Sequence, residues 1–504
     1  MICRKVPSFQ ALAVIVLGVL LRCIYVTAPL VDLASWRETQ TAMITRNLVH
    51  QGFDIFHPTI DWFGNSVAYL ALEFPLYNLV VGIFYAVFGE HEFFGRLVSI
   101  LFSGGTLVLF YLLARMLQDE KSALFSLLCF VLCPLSIFYG QTYMPESLML
   151  FLSVGAIYFL LEWANTDRRG WFLLSVVFAA CAFLVKTPVT IQLFIPLLYI
   201  FWRKHGRSVL AKKDFYLFFL IAYVPILAWV IYSQALTRPS FPGESFEKFV
   251  GNLEPRFHIE SYLRIGGFVL VYLLTPVGAL FLTSGLFSRR LTSLERLLLA
   301  WFSSTVLYLL VFFPALEGHH YYLLPLIPCI SLYIGKGIQL SREYFHKRHI
   351  RRIFRLGAAC ILMIATLGFI GLPLFHLSKQ DTVILHAADA VRSHTKPSDL
   401  VLTATFHAKK NAFGNPALLY YCQRKGWIEL YPYDINRLLS TVSRYKNKGA
   451  AYLIVTYTQR YTERSFLERF SSHKPDFDGP KIITELSNHF SVVESGRDFV
   501  LYQL

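Results

Sequence analysis

The chain is 504 residues long, 55% hydrophobic, 16% aromatic and only 16% charged, with a mean hydropathy of +0.50. Such a composition excludes an ordinary soluble globular domain and reads as a polytopic membrane protein. The formal charge of +15 does not indicate nucleic acid, because the basic residues fall in short clusters between apolar runs.

Apolar runs of roughly 17 to 25 residues, the length that crosses a bilayer, recur from Phe9 to residue 376. The first, Phe9–Leu30, follows a basic start at Arg4 and Lys5 and lacks a small-residue cleavage site, so it reads as a first span and not as a removed signal. It carries one charge, Arg22, expected to snorkel outward or to meet a lipid phosphate. Basic clusters at Arg4/Lys5, Arg115/Lys121, Arg168/Arg169, 203–213, Arg289/Arg290/Arg296 and 342–355 mark cytoplasmic loops by the positive-inside rule. The connections 28–95, 140–146, 186–188, 236–262 and 315–320 then face the opposite side. This topology requires that the short apolar piece Leu76–Gly89 does not cross, and it suits an interfacial or re-entrant helix. The expected fold is α-helical and polytopic, with about 11 spans, juxtamembrane helices in the first outer loop, and the C-terminus outside.

The eight cysteines show no metal or redox spacing. Cys129 and Cys133, one helical turn apart, read as small packing residues, and Cys422 alone lies in the C-terminal part, so no disulfide can form within it. From Ser378 the pattern becomes that of a small α/β domain. Helical patterns at 382–394, 414–424, 434–447 and 462–471 alternate with β-rich runs at 400–404, 451–457, 490–495 and 498–504. The sequence therefore divides into a membrane domain, 1–378, and an extracytoplasmic α/β domain, 379–504. The second has no clustered charge and is assigned no activity of its own.

The polar residues of the outer loops are the candidate functional set. The first loop offers Asp32, Arg37, Glu38, Asp54, His57, Asp61 and Glu73, with Arg96 at the head of the next span. "GQTYMPESLML" puts Glu146 at the start of a span, "FLVKTPVT" puts Lys186 beside the helix-breaking Pro188, and "EGHHYYLLPLIP" supplies Glu317, His319 and His320. Singly, each reads as an ordinary interfacial charge. Together on one face they could converge, with cations suited to the phosphate of a lipid-linked substrate and a carboxylate suited to deprotonating an acceptor hydroxyl. No nucleotide-phosphate loop occurs on the cytoplasmic side, which favours a donor supplied by lipid.

The succession "DLASWRETQTAMITRNL", "HPTIDWFGN", "LEFPLYNLVVGIFYAVFGEHEFFGRLVSILFS", "YMPESLMLF", "FLVKTP" and "GHHYYLLPLIP" resembles the bacterial membrane glycosyltransferases related to protein O-mannosyltransferases and to the lipid A aminoarabinose transferase. The resemblance covers most of residues 8–340, and "ALLYYCQRKGW" in the C-terminal part is similar to members of the same group. It implies the C-type glycosyltransferase fold, a polyprenyl-phosphate sugar donor, a glycolipid, glycan or protein acceptor, and inversion at the outer face of the inner (cytoplasmic) membrane. It further implies Asp32 as catalytic base and Glu146 as a second acidic residue that orients the acceptor or a metal. Lys186, Arg96 and Arg37 become candidate donor-phosphate contacts. Glu73, Asp61, His319 and His320 become candidate substrate or metal residues, with a divalent cation as the candidate cofactor. Glu38 and Asp61 remain rivals to Asp32, and Phe74 stands where aminoarabinose-type relatives have a lysine. Arg37 and Glu38 are expected to brace the first loop, and Arg46 to support it. The alternative class is a flippase of lipid-linked sugars, which calls for mid-membrane charges and internal repeats; neither stands out. A glycan polymerase or ligase using the same donors is a third reading.

Overall fold

The computed structural model describes residues 7–237, 254–287, 293–316, 318–346, 379–406, 416–428, 435–457 and 479–504. The chain forms two compact units. The first comprises Met1–Ala28, Leu72–Val81 and Phe93–Leu372; the second comprises Pro29–Ala71, Gly82–Glu92 and Pro373–Leu504.

The first unit is helical. Among the described residues, Glu92–Leu117, Glu146–Thr166, Lys213–Thr237, Ile259–Leu286 and Leu294–Val311 are long and apolar enough to cross a membrane, and Phe9–Cys23 and Arg169–Val185 are shorter apolar helices. Local chemistry sets their ends. The Ser8 hydroxyl caps Phe9–Cys23 by accepting from the Ala11 N–H at 3.3 Å, and the Asp119 carboxylate caps Glu120–Leu132 through the N–H groups of Lys121 and Ser122. Pro134 opens the next short helix, Pro134–Tyr139, so this apolar run is broken after Cys133. Glycines let backbones meet: a Cβ on Gly285 would lie 2.0 Å from the Tyr333 carbonyl oxygen, and one on Gly337 would lie 1.9 Å from that of Phe281.

Arg22 does not snorkel. Its side chain is fully buried, with Nη1 donating to the Gly18 carbonyl at 2.7 Å and Nη2 to the Ser136 hydroxyl at 2.6 Å. Gly140 makes the room, since a Cβ there would sit 2.4 Å from Arg22 Nε. A buried guanidinium needs hydrogen-bond acceptors more than it needs water, and the helix Pro134–Tyr139 supplies one.

The second unit holds a two-stranded antiparallel ribbon, β1 (Thr59–Ile60) with β2 (Ala68–Tyr69), and a five-stranded mixed sheet. The strands are β3 (Leu400–Phe406), β4 (Gly426–Ile428), β5 (Ala450–Tyr457), β6 (Ser491–Ser495) and β7 (Phe499–Gln503), in the order β4-β3-β5-β7-β6. β3 runs parallel to β4 and β5, while β7 is antiparallel to β5 and β6. Alternate residues feed two cores, one on each face. Val401, Ile454 and Leu501 join the core built with the helices Lys379–His394 and Pro416–Cys422. Leu400, Leu402, Leu453, Val455 and Val500 join the core built with Ile435–Lys446 and Gly479–His489.

The α/β pattern expected from Ser378 onward is present, with two additions: the three-residue β4, too short to show a period of two, and the helix Gly479–His489, whose Gly-Pro start reads as a turn. The expected helix at 462–471 lies outside the described residues. Leu76–Phe88 is a helix of 13 residues, and "SWRETQTAMITRNLVH" forms the helix Ser35–His50.

Candidate active site

In the first unit three predicted residues meet. Glu146 is the first residue of the helix Glu146–Thr166, and Lys186 follows the end of Arg169–Val185, where its own N–H still bonds to the Ala182 carbonyl. Glu73 is brought to them by a backbone bond from the Phe74 N–H to the Leu184 carbonyl at 3.0 Å. Lys186 Nζ then donates to Glu73 Oε1 at 3.0 Å and to Glu146 Oε1 at 2.8 Å. Phe74 packs edge-on against Trp229, an apolar contact.

Two aromatic rings complete the ammonium's surroundings, with centroids 4.6 Å (Tyr321) and 5.4 Å (Tyr322) from Nζ. Sequence reading quoted these tyrosines but gave them no role; the run "HHYY" was the available signal. Their segment is held by the Tyr308 hydroxyl donating to the Tyr322 carbonyl and by Gln192 Nε2 donating to the Pro325 carbonyl, both at 2.8 Å. Burial alone would lower the Lys186 pKa, but the charges of Glu146 and Glu73 outweigh it and hold the group well above the usual lysine value. The two acids thus favour the charged form of the ammonium. Glu146 is fully buried, and its second oxygen, Oε2, has no hydrogen-bond partner among the described residues.

The loop before Glu146 is also tied down. Ser99 Oγ donates to the Thr142 carbonyl at 2.6 Å, Tyr77 donates to the Gly95 carbonyl at 2.7 Å, and Ser147 Oγ donates to the Tyr139 carbonyl at 3.0 Å. Arg96, in the second turn of Glu92–Leu117, is buried. His320 stacks on Phe268 with centroids 3.8 Å apart, and His319 lies among the rings of Tyr321 and Tyr322. Glu317 lies outside the described residues.

A divalent cation does not fit this set. The position shared by the two carboxylates is filled by the Lys186 ammonium, and both histidines are engaged with aromatic rings. No group of three metal-ligating side chains occurs among the described residues.

In the second unit the first-loop residues separate into distinct roles. Asp32 is half-buried; its Oδ1 accepts from the Ala34 N–H at 2.8 Å and its carbonyl accepts from the Ser35 N–H, an Asx turn that opens the helix Ser35–His50. Arg37 donates to Gln40 at 2.7 Å, and Glu38 is fully buried. Asp61 is held on both oxygens: Oδ2 by Arg46 at 2.8 Å and Oδ1 by Asn47 at 3.1 Å. Arg46 also lies over the Tyr420 ring, 5.3 Å from its centroid, so its expected supporting role takes the form of this bridge. Asp54 and His57 pair in the same loop, and the hydrogen bond holds the Asp54 carboxyl below its usual range.

This arrangement of apolar helices with a C-terminal mixed sheet is similar to that of several known proteins. The family model of dolichyl-phosphate-mannose-protein mannosyltransferases matches residues 73–232. Among solved structures, ArnT from Cupriavidus metallidurans bound to undecaprenyl phosphate is similar over 97% of both chains, with a TM-score of 0.64 at 14% identity. The Archaeoglobus fulgidus oligosaccharyltransferase AglB, in complex with an inhibitory peptide and a dolichol-phosphate, is similar over 89% of this chain and 69% of that one (TM-score 0.57, 12% identity). The mycobacterial arabinofuranosyltransferase AftD is similar over 99% of this chain and 42% of its own (TM-score 0.54, 14% identity). An uncharacterized protein of Aquifex aeolicus (strain VF5) is 28% identical over 298 residues, 58% of this chain and 64% of that protein's length. The resemblance carried by the loop motifs is thus found again by family model and by fold.

Proposed function

We propose that the protein is an inverting glycosyltransferase that moves a sugar from a polyprenyl phosphate to a glycolipid, glycan or protein acceptor at the outer face of the cytoplasmic membrane. The observation that carries this reading is the Glu73–Lys186–Glu146 set, buried at Lys186 and Glu146, with one carboxylate oxygen of Glu146 left for a hydroxyl donor. Asp32 takes the proton of the acceptor hydroxyl, and the resulting oxygen attacks the anomeric carbon from the face opposite the phosphate. The C–O bond to phosphate breaks and polyprenyl phosphate leaves with the electron pair. Asp61 is poorly placed to act as the base, since both its oxygens already accept from Arg46 and Asn47. Lys186, neutralised twice over, orients Glu146 and Glu73; the developing phosphate charge falls to Arg96 and Arg37.

The test is transfer from a panel of radiolabelled polyprenyl-phosphate sugars to a crude glycolipid acceptor by purified protein. Wild type should transfer from at least one donor. Asp32→Asn should lose about 10²-fold or more in kcat while still binding donor. Transfer from no donor, or full activity in Asp32→Asn, overturns the reading.

A further inference from the structure

The C-terminal chain brings no acid or base to the reaction proposed above, yet it holds the chain on which Asp32 stands. The Leu30 N–H donates to the Tyr421 hydroxyl at 2.6 Å, and that hydroxyl donates in turn to Glu92 Oε2 at 3.0 Å. Val31, fully buried, is part of the apolar core formed by Val391, Val401, Ala417, Leu418 and Leu501. The two residues immediately before Asp32 are therefore fixed to the C-terminal fold, one by its backbone and one by its side chain. The residues after it are fixed by the Asx turn to Ala34. Further along the loop, "ALLYYCQRKGW" makes more attachments: the Gly426 N–H donates to the Asp61 carbonyl at 3.1 Å, and the Gly64 N–H donates to the Gly426 carbonyl at 2.8 Å. Glycine is needed at both places. A Cβ on Gly426 would lie 1.8 Å from the Val401 carbonyl oxygen, and one on Gly64, which sits at φ +61°, would lie 2.3 Å from the Trp427 ring.

We infer that Tyr421 is a positioning residue for Asp32: its hydroxyl and the Val31 pocket make the C-terminal fold the mount of the catalytic base. This rests on Asp32 being the base. Burial and the charge of Glu92 both push the Tyr421 pKa up, so the hydroxyl keeps the proton it donates to Glu92. Tyr421→Phe keeps the ring in its core and removes only the bridge from Leu30 to Glu92. A base displaced by a fraction of an ångström loses rate without losing substrate.

The experiment is a double-mutant cycle on the full-length protein in detergent, with transfer rates, donor KM and thermal stability read for Tyr421→Phe, Asp32→Asn and the double variant. Tyr421→Phe should lower kcat by about 10- to 100-fold with donor KM within about twofold. In the Asp32→Asn background the same change should have no further effect on the residual rate, because it acts through the carboxylate. Glu92→Gln, which still offers Tyr421 an oxygen, should keep most of the rate. Equal losses from Tyr421→Phe in both backgrounds, or no loss with Asp32 intact, overturn the inference. Full activity of Asp32→Asn alone would instead overturn the assignment of the base.

Discussion

Replacing Lys186 by Met tests the electrostatic heart of the first unit. The side chain of Glu146 is 0% exposed and that of Glu73 is 20% exposed, and the ammonium is hydrogen-bonded to both at 2.8 and 3.0 Å. Taking away one partner of such a buried set leaves uncompensated charge, a loss of roughly 3–5 kcal/mol, far above the 1 kcal/mol or less typical of exposed pairs. The sign with pH follows from the direction of the Lys186 shift. A lysine raised by its carboxylates contributes its full stabilisation at every pH below the ordinary lysine value and loses it only in alkali, as pH climbs through the raised folded pKa. Wild type should therefore show no titration of this contribution near neutrality. In Lys186→Met the two acids lose the cation they share and protonation relieves the pair, so the stability gap to wild type should shrink between about pH 8 and about pH 5. The assay is thermal unfolding followed by tryptophan fluorescence in detergent, without substrate. Lys186→Met/Glu146→Gln should recover a large part of the loss, since the deepest unpaired charge is gone. A gap that is absent, or that is the same at both pH values and unrelieved by Glu146→Gln, would refute the reasoning.

Asp61→Asn separates support from catalysis: losing the charge that Arg46 and Asn47 share should lower stability by about 1–2 kcal/mol, measured by the same unfolding assay, while kcat per folded molecule stays within a few-fold of wild type. Gly337→Leu should force apart the helices Thr275–Leu286 and Leu326–His346, whose backbones meet there. Its loss should be roughly 2 kcal/mol or more, seen as a reduced yield of monodisperse protein in detergent.

The apolar runs and the α/β pattern of the C-terminal chain were legible because each is a periodic signal carried by many residues. Glu146 opening a helix and Lys186 closing one were legible too, since Pro145 and Pro188 punctuate the pattern beside them. What the pattern cannot carry is pairing across distance. Glu73 and Lys186 are 113 positions apart, and their bridge depends on one backbone bond between Phe74 and Leu184. Arg22 illustrates the same limit. A lone arginine in an apolar run reads as snorkelling, and only the later Ser136 and Gly140 make a buried position habitable. The tyrosines of "HHYY" and "LLYY" look like ordinary interfacial aromatics until their cation and their hydroxyl partners are known.

The two acidic groups that the proposed chemistry uses sit in different settings. Glu146 is fully buried, with one oxygen accepting from the Lys186 ammonium and the other without a hydrogen-bond partner among the described residues. Asp32 is half-exposed, its Oδ1 accepts from the Ala34 N–H, and the two residues before it are anchored by the Tyr421 hydroxyl and the apolar core around Val31. Partial exposure suits a group that must give its proton back after each turnover. A cation added beside a base weakens it, whereas a cation is harmless to a residue that only orients a hydroxyl. On that argument a lysine introduced beside Asp32, as in Ala34→Lys, should depress the rate even with donor bound. The conservative Glu146→Gln should raise acceptor KM more than it lowers kcat. Steady-state kinetics with donor and acceptor varied separately reads both, and a Glu146→Gln whose kcat collapses at unchanged acceptor KM would reverse the two assignments.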